Sequence, residues 1–326
     1  MLKRFRALGL TLGLLGLAPL AVADQFPDPN QPIKIVVPYT AGGSSDFVAR
    51  TLATKLGLVM KQSVVVENKP GGSTIVGGDF VARSKPDGHT LFLIGELTNG
   101  ALPALNKNLP YDPMTAFAGI TNLVESPLVI VVPTDFPAKT LKEFVAYAKA
   151  NPGKINYGSA GQGNTLHLAG AKFAASTNID MTHVPYKGAS QALIDLVGGR
   201  IQVMFDLPQT PLPQIKDGRL RALAVTSKRR LDFLPDVPTV AEVGFPNYEF
   251  TTRIGIAAPA KTPDGVRLRL EADIKKVLAD PDVAKAFAEK AMYVSNTVSP
   301  TAYDRDLRLA VDAVTKLLRD AGVQPQ

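Results

Sequence analysis

Apolar positions along the chain come in short β-branched runs separated by stretches of helical spacing. Ile33–Val37 (IKIVV) reads as a strand and is followed by the glycine-rich loop Tyr39-Thr-Ala-Gly-Gly-Ser-Ser-Asp46. Val48, Leu52 and Leu56 then recur at i, i+4 and i+8, which predicts an amphipathic helix capped by Ser44 or Ser45. Residues 64–66 form a second strand, 68–72 a turn, 78–83 a helix and 90–94 (TLFLI) a third strand. Such βαβ alternation predicts an α/β fold with mostly parallel, doubly wound sheets.

A second series starts at residues 128–132 (LVIVV). The helical pattern over 140–150 is stopped by Asn151-Pro152-Gly153. A strand at 155–157 runs into Gly158-Ser-Ala-Gly-Gln-Gly-Asn164 and a helix over 166–175. A helix over 192–197 ends at Gly198-Gly199, and strands follow at 201–205, Leu220–Val225 and 254–258. Three amphipathic runs, 266–278, 282–291 and 302–318, make the tail. No Ser/Pro-rich linker divides the two series. They are therefore expected to be lobes joined by crossing strands just before Leu128 and Ile254: residues 24–124 with 250–326 in lobe 1, and 125–249 in lobe 2.

The N-terminus carries its own signal. Lys3, Arg4 and Arg6 precede an apolar run over 7–17, and Ala21-Val22-Ala23 is an A-x-A site. This is the pattern of a secretory leader cleaved after Ala23; the run is too short to span a hydrocarbon core of about 30 Å. A soluble protein exported to the periplasm is expected.

Composition narrows the chemistry. The absence of Cys excludes disulfides, thiolate zinc sites and cysteine nucleophiles, and three His argue against a histidine-rich metal site. Three of the charges behind the net +7 sit in the leader, leaving a mildly basic surface that weakly favours anionic ligands and falls short of a nucleic-acid footprint. G-x-G-x-x-G and G-x-x-x-x-G-K-[ST] are both absent. Ser159 lies in G-S-A-G, not in a G-x-S-x-G elbow, and His167 eight residues on supplies no positioned acid or oxyanion hole. A hydrolase is thereby disfavoured. His167 is expected to pack on its helix, and His89 to sit in a surface turn.

What remains is a duplicated pattern of strand, glycine loop and helix start, at 37–46 and 157–164. Such loops present unpaired N–H groups at the positive end of a helix, where an anion can approach without a Cβ in the way. Two of them facing a shared cleft could hold a carboxylate through amides, hydroxyls and water.

Those residues bear a family resemblance. The stretch Ile35-Val-Val-Pro-Tyr-Thr-Ala-Gly-Gly-Ser-Ser-Asp46 resembles the first loop of the Bug-type receptors, the substrate-binding proteins of tripartite tricarboxylate transporters. Val64-Val-Val-Glu-Asn-Lys-Pro-Gly-Gly72, Asn156-Tyr-Gly-Ser-Ala-Gly-Gln-Gly163 with His167-Leu-Ala-Gly170, and Leu234-Pro-Asp-Val-Pro-Thr239 are similar in turn, so the likeness runs along the whole mature chain. It implies a two-lobed, type II flytrap receptor that closes on an organic carboxylate and presents it to a two-component membrane permease. It implies a monomer with no catalysis, cofactor or metal. The ligand set it implies is Tyr39, Thr40, Ala41, Gly42 and Gly43 with Asp46, then Ser159, Ala160, Gly161, Gly163, Asn164 and His167, then Asp206. Asp46 reads better as a loop-fixing acid than as an anion contact. Where the family commonly has Pro-Phe-Pro-Pro-Gly-Gly this chain has Pro-Tyr-Thr-Ala-Gly-Gly, which predicts a more polar pocket. Glu96 and Thr252-Arg253 are further departures, and Glu96 and Arg253 are expected near the cleft, where they could read the far end of a ligand. A carboxylate sensor feeding a signalling partner is the alternative role for the same fold.

Overall fold

A computed structural model of the chain describes residues 26–326, apart from 297, 321, 324, 326 and the side chains of Glu96 and Thr98. The expected leader and its cleavage site lie outside the described residues. In chain order the elements are β1 (Ile33–Val37), α1 (Ser44–Met60), β2 (Val64–Asn68), α2 (Ile75–Ala82), β3 (Thr90–Gly95), α3 (Glu96–Leu105), β4 (Phe117–Pro127), β5 (Val129–Pro133), α4 (Leu141–Ala150), β6 (Asn156–Ser159), α5 (Thr165–Thr177), β7 (Thr182–Pro185), α6 (Ala189–Val197), β8 (Val203–Asp206), α7 (Leu212–Lys216), β9 (Leu220–Val225), β10 (Thr251–Pro259), α8 (Asp264–Leu278), α9 (Pro281–Ala288), β11 (Tyr293–Val294) and α10 (Pro300–Asp320).

The strands form two sheets, ordered β11-β4-β10-β3-β1-β2 and β7-β6-β8-β5-β9. The predicted parallel pairing holds where strands alternate with helices: β1 with β2 and β3, and β6 with β7 and β8. It fails at the crossover, so the sheets are mixed rather than mostly parallel. β4 leads out of the first sheet and β10 returns to it, so the two necessarily run in opposite directions, and they pair from Thr251 opposite Pro127 to Pro259 opposite Phe117. β5 likewise pairs antiparallel with β8 and β9.

Each sheet has its own core. Ile33, Ile35 and Val37 of β1 bury against Val48, Leu52 and Leu56 of α1, the residues whose spacing predicted the helix. Around the second sheet, Val131, Phe144, Phe173 and Phe205 are fully buried. α4 starts where the sequence placed it: Thr140 Oγ1 accepts from the Glu143 N–H, and Glu143 reaches back to the Lys139 N–H at 2.7 Å.

Two helices serve both lobes. Tyr303 and Leu307 of α10 pack with Val36, Phe92 and Ile94 on the first sheet, whereas Val314 and Leu318 belong to the core of the second. At a rise of about 1.5 Å per residue, this helix is about 31 Å long. α3, which the sequence did not predict, lies along it and sends Ala101 and Ala104 into the second core. Gly100 makes that contact possible, since a Cβ there would lie 2.7 Å from the Ala310 carbonyl oxygen. Among the described residues, no helix is long and apolar enough to cross a membrane.

Candidate functional site between the two glycine loops

The loops after β1 and β6 end at the starts of α1 and α5, and both helix starts open on one cavity of about 120 Å³ between the sheets. Tyr39, Ser44 and Ser45 line it from the first lobe, and Thr165 from the second. Gln209, just beyond β8, closes one side, while the cross-strand neighbours Ser126 and Thr252 close another. Leu93, Ile254 and Met292 supply an apolar floor. The lobes touch here, because Gln209 Nε2 donates to Ser44 Oγ at 3.3 Å. Gln209 Oε1 is buried with no hydrogen-bond partner among the described residues.

The first loop is held from behind by Asp46. Its carboxylate accepts from the Gly42 N–H at 2.9 Å, from Arg50 Nε at 2.8 Å and from Asn68 Nδ2 at 2.9 Å. These partners, the Arg50 contact first among them, hold its pKa down at about 2. Asn68 also donates to the Tyr39 carbonyl at 3.1 Å. Gly42, at φ +87°, makes the turn that an L side chain rarely adopts. Thr40, Ala41, Gly42 and Gly43 remain exposed as the rim of the loop.

The second loop is held by two histidines. Ser159 Oγ donates to the Gly161 carbonyl at 2.9 Å, accepts from the Gly161 N–H at 3.1 Å and lies 2.7 Å from His183 Nε2. Fully buried and saturated, this hydroxyl is a loop former and not a nucleophile. His167 Nδ1 accepts from the Gly163 N–H at 2.9 Å, which fixes a neutral ring. Burial, and then the field of His183, push the His167 pKa down to about 3. Asn164 caps α5 by accepting from the His167 N–H at 3.0 Å. Ala160 and Gly161 are partly exposed on the loop. Leu105 packs so closely on Gly163 that a Cβ there would meet its Cδ1 at 2.2 Å.

Of the side chains expected at the ligand, Tyr39 lines the cavity, whereas Asp46, Ser159 and His167 stand behind the loops that shape it. Asp206 is also set back: it ends β8 fully buried, one carboxylate oxygen accepting from the Leu207 N–H at 2.8 Å and the other without a partner among the described residues. Burial pushes its pKa up to about 7. Glu96 opens α3, and its side chain lies outside the described residues. Arg253 does not line the cavity. Strand alternation gives that place to Thr252, and the Arg253 guanidinium lies 3.7 Å from Glu125, its cross-strand neighbour. His89 is no surface turn residue: it is buried, and its Nε2 accepts from the Asp28 N–H at 3.0 Å. Ser126, Thr165 and Gln209 were not singled out from the sequence, and Thr252 only as a departure beside Arg253. Thr165 directly follows a glycine loop and Gln209 lies just past a strand's carboxyl end, which are the signals that could have found them.

Among the described residues, no lining side chain is charged. The described lining offers hydroxyls, one amide and the starts of two helices, whose first-turn N–H groups can hold an anion.

The family model described as the tripartite tricarboxylate transporter family receptor matches residues 48–317. A Pseudomonas sp. (strain P51) relative, the UPF0065 protein in the tcbD-tcbE intergenic region, is 40% identical over 267 residues, covering 82% of this chain and 79% of its own. Among solved structures, the periplasmic binding protein BugD is similar at 35% identity and a TM-score of 0.75, over 92% of this chain and all of its own. An R. palustris protein solved with adipate has 29% identity and a TM-score of 0.77, over 91% of this chain and 99% of its own. MatC from Rhodopseudomonas palustris, solved with malate, has 28% identity and a TM-score of 0.74, over 89% of this chain and all of its own.

Proposed function

The chain belongs to the tripartite tricarboxylate transporter receptor family, periplasmic substrate-binding proteins, and from this premise we propose that it captures a small organic carboxylate between its lobes and delivers it to a two-component membrane permease. The observation that carries the reading is a donor-rich cavity, with no charged side chain among its described lining residues, where α1 and α5 both begin. Each helix start presents roughly half a positive charge through its unpaired N–H groups. Two of them converging on one enclosed space favour an anion, whereas a cation would find no carboxylate among the described lining residues. The adipate and malate held by two similar proteins are both carboxylates, which supports the choice of class. The work done is binding and closure about the β4–β10 crossover, with no bond made or broken.

A thermal-shift screen of the purified protein against mono-, di- and tricarboxylates and amino acids tests this. A ligand at about 100 times its Kd stabilises the folded state by about 2.7 kcal/mol. At least one carboxylate should raise Tm accordingly, and a screen in which none does would sink the reading.

A further inference from the structure

A larger groove, of about 510 Å³, lies behind the crossover and shares no lining residue with the interlobe cavity. β10, α3, α5 and α10 form its walls, the elements that join the two lobes. Leu97, Phe250, Val314 and Leu317 make it apolar on one side. On the other, Lys172 Nζ donates to the Glu249 carbonyl at 2.7 Å and lies 5.9 Å from the rings of both Tyr248 and Phe250.

The remaining charges in the groove are matched. Lys316 pairs with Asp320 one helical turn on, Arg253 with Glu125 at 3.7 Å, and the Glu249 carboxylate with Lys228 at 3.2 Å. Lys172 has no carboxylate at ion-pair distance among the described residues. A half-buried ammonium that has a neutral carbonyl, two ring faces and only the more distant field of the Glu249 carboxylate is under-compensated, and burial outweighs that field and lowers its pKa. An anion would supply the missing partner, and the wall beside it is apolar.

We infer that this groove is a second ligand site, taking a small amphipathic monocarboxylate whose head pairs with Lys172 and whose short hydrocarbon tail lies along Val314 and Leu317. A fully polar anion would leave the apolar wall wet, and a neutral lipid would leave Lys172 unmatched. The site is connected to the interlobe cavity through α5. Thr165 at the start of that helix lines the cavity, and Lys172, about 10 Å further along it, lines the groove. If closure shifts α5 or α10 against β10, an occupant wedged between them and the cavity's ligand must change each other's affinity by one factor.

Calorimetric titration with hexanoate, and with hexanol as its uncharged counterpart, tests the assignment on the wild-type protein and on Lys172→Met and Ala313→Trp. Ala313 is exposed on the groove's rim, so a Trp there fills the groove without disturbing a core. Hexanoate should bind at least tenfold more tightly than hexanol, and each substitution should weaken it tenfold or more. Hexanoate that binds no better than hexanol, or that ignores Ala313→Trp, overturns the proposal; binding in the interlobe cavity alone would give that second result.

Discussion

His167 and His183 stack face to face, their ring centroids 3.8 Å apart and their planes 8° from parallel, with Tyr157 beside both. Each grips one end of the second glycine loop, His183 at Ser159 and His167 at Gly163. The geometry needs both rings neutral. His167 must keep a lone pair for the Gly163 N–H, and two imidazolium ions at this spacing would repel.

Acid should therefore loosen the fold early. Burial holds His167 at about 3 and His183 at about 4, against 6.5 for an ordinary histidine, so the unfolded chain takes up two more protons than the folded one as pH falls below 6.5. Asp206 works the other way: held at about 7, it is protonated in the folded state and ionised in the unfolded one down to about 3.8. The difference is one net proton, so stability should fall by about 1.4 kcal/mol per pH unit between pH 6.5 and about 4.5. Urea unfolding at pH 6.5 and pH 5 measures the slope. His183→Gln removes one of the two histidine protons and should leave the profile nearly flat; an unaltered slope in that variant would count against the neutral pair.

Asp206→Asn should stabilise the protein at alkaline pH. Raising the carboxyl from 3.8 to about 7 means that ionisation works against the fold, with the full penalty above pH 7 and none below about 3.8. Three pKa units correspond to about 4 kcal/mol. Asn keeps the acceptor for the Leu207 N–H, so Tm should rise at pH 8 and stay unchanged at pH 4. Because Asp206 stands outside the cavity, ligand affinity should move less than threefold.

Gly43→Val separates binding from folding. Gly43 caps α1 at φ −84°, a value any residue adopts, and the nearest atom to an added Cβ is the Thr40 carbonyl at 3.9 Å. The fold should survive, with an isopropyl group standing where an anion would meet the amides. Losing one charge-assisted hydrogen bond, worth about 1.5–3 kcal/mol, weakens affinity about 10- to 100-fold. Calorimetry with whichever carboxylate gives the largest Tm shift decides it, and unchanged affinity would show the α1 start to be a mere connection.

Gln209→Ala removes the bond from Gln209 to Ser44 that joins the two lobes beside the cavity. A neutral hydrogen bond contributes about 0.5–1.5 kcal/mol, so ligand release should quicken about 2- to 10-fold with little change in association. Stopped-flow dissociation measures this directly, and a release rate equal to the wild type would mean that the bond does not hold the lobes closed.

The residues that announced the fold were those whose local preference agrees with their surroundings. IKIVV, the Val48-Leu52-Leu56 spacing and the helical pattern over 140–150 all report packing that a neighbouring element completes. α3 was hidden because ELTNGALPAL carries Gly100 and Pro103, poor helix formers, and its shape is dictated by contact with α10 some two hundred residues away. At the site, the glycine loops were legible, since their conformation is local. The lining was less so. Arg253 drew attention by its charge, but strand alternation gives the cavity to Thr252, and uncharged residues such as Ser126 and Gln209 stand out only once two lobes are folded together. His183 passed unnoticed because its partners, Ser159 and His167, come from the two preceding elements and meet it only once β6 and β7 pair in parallel.

The passage of α10 through both cores also sets how the molecule may be divided. Residues 129–225 contain every strand of the second sheet, yet they would not make a portable unit. Cut out at the crossover, that piece would lose Val314 and Leu318 from its interior, along with Ala101 and Ala104 of α3. It would face water with an open apolar seam instead. Recombining lobes between relatives would require the last helix to travel with both, so the C-terminal segment is under joint constraint from two hydrophobic interiors, and exchange of whole lobes is disfavoured as a route to new specificity.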